Sequence, residues 1–128
     1  MKKPPIKRKQ PSLKTLRNRL DLIFSSWIRK RDGNENGMGR CISCNQYRFL
    51  QAGHFIKRQH YGRWDERNVN GQCVRCNKWL HGNDGAYAVA LAQLYGIAVV
   101  KELIANKHKE LKPSRIELEA MIERYSER

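Results

Sequence analysis

The 128-residue sequence has no long hydrophobic run, and acidic residues are scarce. Its apolar stretches fall short of the roughly 18–20 residues that cross a bilayer. No continuous apolar segment follows the basic N-terminus, as a secretory signal peptide would require. Asp and Glu number 12 against 26 Lys and Arg. These absences argue against a membrane or secreted protein, and we expect a cytoplasmic one.

Cysteine is also scarce, but its spacing is informative. The four cysteines form two CxxC pairs, Cys41/Cys44 and Cys73/Cys76, and none is left over. Two such pairs can bring four thiolates to one tetrahedral zinc ion, and a site with four protein ligands leaves no position for water or substrate. We therefore predict a structural Zn²⁺ on these residues. Disulfides or four free thiols are the alternatives.

The net charge of +14 is concentrated near the N-terminus, where residues 1–31 hold eleven basic residues and one acid, Asp21. Clustered positive charge is typical of a protein that binds a polyphosphate such as DNA. Residues 1–11 hold three of the four prolines and are interpreted as a flexible basic arm. The candidate DNA contacts in this arm are Lys7, Arg8 and Lys9. A solvated, solubilising tail is the alternative.

Residues 12–128 are predicted to form a single domain. Ser12 has the character of an N-cap for a helix over 12–31, whose leucines and aromatic residues recur at helical intervals. Residues 40–85 contain all the cysteines and form the zinc core, and helices follow over 86–128.

Local signals divide the C-terminal part into three helices. Gly96 is expected to end a helix over 86–95, and a second helix follows over about 97–109. After the break at Pro113, Ser114 and Glu117 have the spacing of a capping box for the last helix.

Polar residues around the CxxC pairs have spacings that suit phosphodiester hydrolysis. His54 follows a strand-like stretch, Tyr47–Ala52, and an imidazole that titrates near neutrality is a candidate general base. Asn77 and His81 are four residues apart, so on a helix they would share one face. Together they could offer an amide oxygen and an imidazole nitrogen to a catalytic Mg²⁺ or Mn²⁺. Asn68 lies five residues before Cys73.

Each of these residues also has a structural explanation. His54 could be a hydrogen-bonded turn residue, Asn68 and His81 could be turn or cap residues, and Asn77 could belong only to the zinc knuckle. The neighbouring basic residues could contact the DNA backbone or form a solvated loop. These candidates are Lys57, Arg58, Arg63 and Arg67, with His60 in the same run.

The order of these motifs resembles zinc-containing HNH endonucleases and, more narrowly, the NinG/Rap family of phage recombination nucleases. The resemblance rests on CISC, AGHF, DERNVNGQCVRCN, HGN and the following Tyr87. It implies an α+β fold with a small ββα-metal (His-Me finger) core and a four-cysteine zinc site, flanked by N- and C-terminal helices. It further implies a metal-dependent endonuclease that cleaves recombination intermediates or branched DNA. Such a protein would act in the host cytoplasm if a phage or prophage encodes it, and a homodimer would suit a branched substrate.

The resemblance also implies a role for each polar residue. His54 corresponds to the general base, and Asn68 to the asparagine that braces the hairpin loop. Asn77 and His81 fall at the positions of the helical metal ligands. Gly53 departs from the pattern because many HNH enzymes have an acidic ligand there, and this leaves the first-strand ligand open. The alternatives are a non-catalytic zinc-ribbon DNA-binding protein and a packaging or homing-type HNH nuclease.

Overall fold

The structure is a computed structural model that describes residues 3–4, 9–57 and 61–126. Within these residues the chain forms a small antiparallel sheet, four α-helices and one π-helix, so the predicted α+β class is confirmed. In chain order the elements are α1 (Leu13–Asp32), β1 (Met38–Arg40), β2 (Tyr47–His54), β3 (Val69–Cys73), the π-helix (Arg75–Trp79), α2 (Asp84–Tyr95), α3 (Ile97–Ala105) and α4 (Arg115–Ser126).

The sheet has the order β1-β2-β3, and both pairs of strands are antiparallel. In the second pair Leu50 lies opposite Cys73, and His54 lies opposite Val69. This register places the end of β2 beside the start of β3. His54, the last residue of β2, is therefore next to the residues that immediately precede β3.

Helix α1 begins directly after Ser12, whose hydroxyl accepts a hydrogen bond from the Thr15 backbone N–H at 3.1 Å. Its buried residues recur every four positions and form one apolar stripe. This stripe packs against α4 and the sheet in the larger core cluster, which contains Leu16, Leu20, Phe24, Ile28, Trp64, Val69, Leu118 and Tyr125. Burial of this stripe fixes α1 across the sheet.

The C-terminal helices follow the local signals closely. Gly96 ends α2 with φ of +94°, a conformation that favours glycine. The capping box of α4 is confirmed: Glu117 N donates to Ser114 Oγ at 3.2 Å, and Ser114 N donates to Glu117 Oε1 at 3.1 Å. Helix α3 ends at Ala105, before the predicted 109, because Asn106 turns the chain and donates its Nδ2 to Glu102 O.

A second core cluster lies between the end of β2 and helices α2 and α3, and it contains Phe55, Tyr87, Leu91, Val100 and Leu103. It anchors α2 against the residue that follows His54. Across the described part of the chain, no helix combines the length and the apolar character needed to cross a membrane.

Candidate metal centre and active-site cavity

The four cysteines converge at one point, and their sulfur atoms all lie within 4.8 Å of one another. The Cys44 and Cys73 sulfurs are 3.8 Å apart. A tetrahedral site with zinc–sulfur bonds of about 2.3 Å requires a sulfur–sulfur separation of ~3.8 Å. The cluster therefore fits one metal ion such as zinc, held by Cys41, Cys44, Cys73 and Cys76.

Backbone hydrogen bonds close a tight turn at the first CxxC pair and a wider turn that follows the second pair. Asn45 N donates to Cys41 O at 2.8 Å, with Asn45 in the left-handed region at φ of +59°. Gly82 N donates to Cys76 O at 2.8 Å. Burial raises the pKa of the Cys76 thiol to about 12. A bound cation would offset that desolvation and hold the sulfur as a thiolate.

A separate cavity of about 340 Å³ lies between α1, the end of β2 and the π-helix. It brings together four residues that the sequence singled out: His54, Lys57, Arg63 and Asn77. The other lining residues are Asp21, Phe24, Ser25, Ala52 and Gly82. A basic, half-enclosed pocket with one imidazole is compatible with binding a phosphate group.

The hydrogen bond of His54 decides which ring nitrogen is basic. His54 Nε2 lies 2.9 Å from the backbone oxygen of Arg63. A carbonyl oxygen can only accept, so Nε2 carries the proton of the neutral ring and donates it there. Nδ1 is then the nitrogen that can take up a proton.

Asn68 ties together the connection between β2 and β3, and its side chain is fully buried. Its Oδ1 accepts from Ile56 N at 2.7 Å, and its Nδ2 donates to Ile56 O at 3.0 Å and to Gly62 O at 2.9 Å. A Cβ at Gly62 would overlap the Asn68 amide, so glycine is required there. The segment fixed in this way leads directly into Arg63, whose carbonyl binds His54.

Tyr87 holds the same region from the side of α2. Its buried hydroxyl donates to Gly53 O at 2.6 Å, the carbonyl of the residue before His54. Burial raises the pKa of Tyr87 far above its ordinary value, so the hydroxyl keeps its proton. The motif that contains Tyr87 was noted in the sequence, but its role as a support for β2 was not predicted.

Asp21 is a site residue that the sequence analysis missed. Its carboxylate accepts from Arg63 Nε at 2.9 Å, from Arg63 Nη2 at 2.6 Å and from Trp64 Nε1 at 3.0 Å. The two charged side chains are 15% and 19% exposed, so the pair is partly desolvated. Asp21 thereby anchors the residue whose carbonyl orients His54. The one available signal was a single acid among the eleven basic residues of the first 31.

The structure gives a steric reason for Gly53. A Cβ at this position would overlap the side chain of Gln72, which is fully buried. Gln72 is held by donation from Nε2 to Ser43 Oγ and Gly82 O. An acid therefore cannot replace Gly53 without moving a packed residue. The nearby Gln51 accepts from Asn77 Nδ2 at 2.8 Å, so Oδ1 is the atom of Asn77 that could meet a cation.

The prediction that Asn77 and His81 share a helical face is wrong. The π-helix ends at Trp79, and His81 is exposed in a left-handed turn with φ of +51°. The hydrogen bond from Gly82 N to Cys76 O turns the chain back beside the second CxxC pair, so the helix does not continue to His81. Asn77 lines the cavity, whereas His81 is not among the described residues that do so.

The predicted DNA-contacting residues fall into different environments. Arg67 donates to Asp65 and Glu102, and these partners raise its pKa, so its charge is paired within the protein. Lys57 is exposed at the cavity, and Lys9 is exposed near the start of α1. The predicted contacts Lys7, Arg8 and Arg58, together with His60, lie outside the described residues.

Comparison with known proteins places the chain in a family. The sequence model of NinG, described as Bacteriophage Lambda NinG protein, matches residues 2–128. The chain belongs to the NinG family. "Protein ninG" of Salmonella phage P22 is 35% identical over 108 residues, which cover 81% of this chain and 51% of that protein. "Protein ninG" of Escherichia phage lambda is 34% identical over 89 residues, or 66% of this chain and 42% of that protein.

This NinG-family chain thus spans about half of the length of the curated relatives it matches. No solved structure matches it. Membership of the NinG family was anticipated from the motifs between Cys41 and Tyr95, and the family match extends over the flanking helices as well.

Proposed function

We propose that this chain is a metal-dependent endonuclease of the HNH type that hydrolyses phosphodiester bonds in branched DNA or recombination intermediates. The observation that carries the proposal is the orientation of His54 in a basic cavity. Its Nε2 donates a hydrogen bond to the Arg63 carbonyl, and Lys57 and Asn77 line the same cavity. The excess of positive charge in the chain supports a polyphosphate substrate.

In this proposal the neutral His54 ring takes a proton from water at Nδ1 while the water oxygen attacks phosphorus. The bond from phosphorus to the leaving sugar oxygen breaks, and that oxygen takes up a proton from solvent. Lys57 contacts the phosphate, and the Asp21–Arg63 pair holds the carbonyl that orients the ring. Asn77 Oδ1 would hold a divalent cation such as Mg²⁺ or Mn²⁺. When bound, that cation would supply charge neutralisation at the scissile phosphate. A zinc ion on the four cysteines would stabilise the fold and take no part in the chemistry.

A nicking assay tests this proposal on plasmid and branched DNA, with Mg²⁺ or Mn²⁺ added. Replacing the general base should reduce cleavage by roughly 10²–10⁴-fold, the usual contribution of a positioned acid–base group. His54→Ala should therefore lose cleavage while it keeps zinc and DNA binding. The matched control is His108→Ala, an exposed histidine after α3. Equal cleavage by the wild type and His54→Ala, with contaminating nuclease excluded, would refute the proposed role of His54.

A non-catalytic DNA-binding protein is the second candidate, and the bonding of the cavity's carboxylate within the protein favours it. Asp21 is the one carboxylate among the described lining residues, and it is already bonded to Arg63 and Trp64. Salt-dependent DNA binding without nicking under any divalent cation would support this candidate over the nuclease.

A further inference from the structure

A groove distinct from the His54 cavity lies on the other end of the β1–β2 hairpin. Its volume is about 270 Å³, and it is lined by Met38, Tyr47, Arg48, Phe49, Cys73, Val74 and Arg75. Its walls come from β1, the start of β2 and the second CxxC pair. It shares no lining residue with the His54 cavity.

The groove exposes two aromatic rings that lie outside the hydrophobic core, although the Tyr47 hydroxyl accepts a hydrogen bond from Asn34 Nδ2. Phe49 is 69% exposed and Tyr47 is 51% exposed. Neither ring belongs to a core cluster formed by the described residues. Their side chains lie on the same face of β2 because they are two residues apart on a strand. Single exposed apolar residues are common on protein surfaces, but two exposed rings grouped at one groove form an apolar patch, and such patches suit contact with a partner.

The charge around these rings limits what the partner can be. Arg48 and Arg75 line the groove, and the Arg40 guanidinium lies 5.8 Å from the Tyr47 ring centre. Among the described residues that line the groove, none is acidic. Aromatic rings interleaved with arginines match single-stranded nucleic acid, whose bases stack on rings while its phosphates pair with cations. Duplex DNA fits less well because its bases are already stacked on one another.

We propose that Tyr47 and Phe49 form a stacking platform for unpaired DNA bases, with Arg75 holding an adjoining phosphate. This inference rests on the proposed function and deepens it, since it names an unpaired strand as part of the substrate. It gives a physical basis for preferring branched DNA, where duplex and single-stranded segments meet.

Fluorescence anisotropy of the zinc-loaded full chain tests the platform without Mg²⁺ or Mn²⁺, so that binding is measured apart from cleavage. The probes are labelled oligo(dT) and a duplex of the same length. Loss of a stacked base costs ~1–3 kcal/mol, so Phe49→Ala should weaken oligo(dT) binding by roughly 5- to 150-fold. Duplex binding should change by less than about twofold, because the phosphate contacts remain.

Three further variants separate stacking from simpler effects. Phe49→Trp should keep oligo(dT) binding, whereas Phe49→Leu, which is apolar but has no ring, should lose it. Ile116→Ala is the matched control because this side chain is 79% exposed on α4. Zinc content and circular dichroism of each variant establish that it is folded.

Several outcomes would overturn the platform. These are unchanged oligo(dT) binding by Phe49→Ala, an equal loss on duplex and single strand, or full binding by Phe49→Leu. Altered self-association with unchanged oligo(dT) binding would assign the groove to a second copy of the chain. A wild type that binds oligo(dT) through Phe49 but never nicks DNA would leave the platform standing and remove the nuclease. Normal cleavage and normal oligo(dT) binding by Phe49→Ala would remove the platform and leave the nuclease standing.

Discussion

Replacement of Asn68 by alanine is expected to cause a large loss of stability for a single polar side chain. The change removes three hydrogen bonds, to Ile56 N, Ile56 O and Gly62 O. An unsatisfied buried donor or acceptor costs about 1–3 kcal/mol. The groups of Ile56 are partly buried and can regain water, whereas the bond to Gly62 is buried. We therefore expect Asn68→Ala to lower the free energy of unfolding by about 3–5 kcal/mol.

Asn68→Asp distinguishes the contribution of the amide oxygen from that of the amide nitrogen. Aspartate keeps an oxygen for Ile56 N but places a second oxygen against the carbonyls of Ile56 and Gly62, where the structure has a donor. It should therefore be no more stable than Asn68→Ala. Asn106→Ala is the matched control because it removes one exposed bond, to Glu102 O. Its cost should stay below about 1 kcal/mol.

Urea denaturation under constant free zinc measures these differences, since bound metal contributes to apparent stability. Cleavage should fall together with stability in Asn68→Ala, because the connection that carries the Arg63 carbonyl loses its brace. The bracing role would be refuted if the free energies of unfolding of Asn68→Ala and the Asn106→Ala control differed by less than about 0.5 kcal/mol.

Two further expectations concern the four-cysteine cluster and the Asp21–Arg63 ion pair that lines the cavity. Cys76→Ser should lower the zinc content below one ion per chain and unfold the protein, because structural zinc supplies folding free energy. Elemental analysis measures the zinc content, and circular dichroism measures the unfolding. A folded, soluble wild type without zinc would contradict this. Asp21→Asn should cost about 1–3 kcal/mol in the same urea assay, since it breaks a partly desolvated, bidentate pair with Arg63. Glu102→Gln, which breaks the more exposed pair with Arg67, should cost less than about 1 kcal/mol, and equal costs would show that burial is not the deciding factor.

The features predicted correctly from the sequence are those specified by neighbouring residues. Ser12 marks the start of α1, and Ser114 with Glu117 caps α4, because each cap involves residues within one helical turn. The CxxC spacing likewise requires both cysteines of a pair to lie in one tight turn. The expectation that both pairs share one tetrahedral metal ion then predicted that the two turns meet in space, and the four sulfurs do converge.

The features missed depend on contacts between distant parts of the chain. Asp21 and Arg63 are separated by 42 residues, and no local pattern links an acid on α1 to an arginine before β3. The prediction that His81 shares a helical face with Asn77 was wrong for a related reason. Spacing alone predicts a regular α-helix, whereas the chain forms a short π-helix that ends at Trp79 and then turns back, with Gly82 N donating to Cys76 O.

The metal cluster and the cavity share one short segment, from Cys76 to Gly82. Cys76 belongs to the four-cysteine cluster, and the next residue, Asn77, lines the cavity. Gly82 also lines the cavity, and its N–H donates to Cys76 O. If the four cysteines hold zinc as proposed, its loss is expected to displace one wall of the cavity even though the ion takes no part in the chemistry. It follows that inhibition by a chelator does not by itself identify a catalytic cation. The two metals are separated only when zinc content stays constant while Mg²⁺ or Mn²⁺ is varied, with Asn77→Ala as the variant whose response to the second metal should weaken.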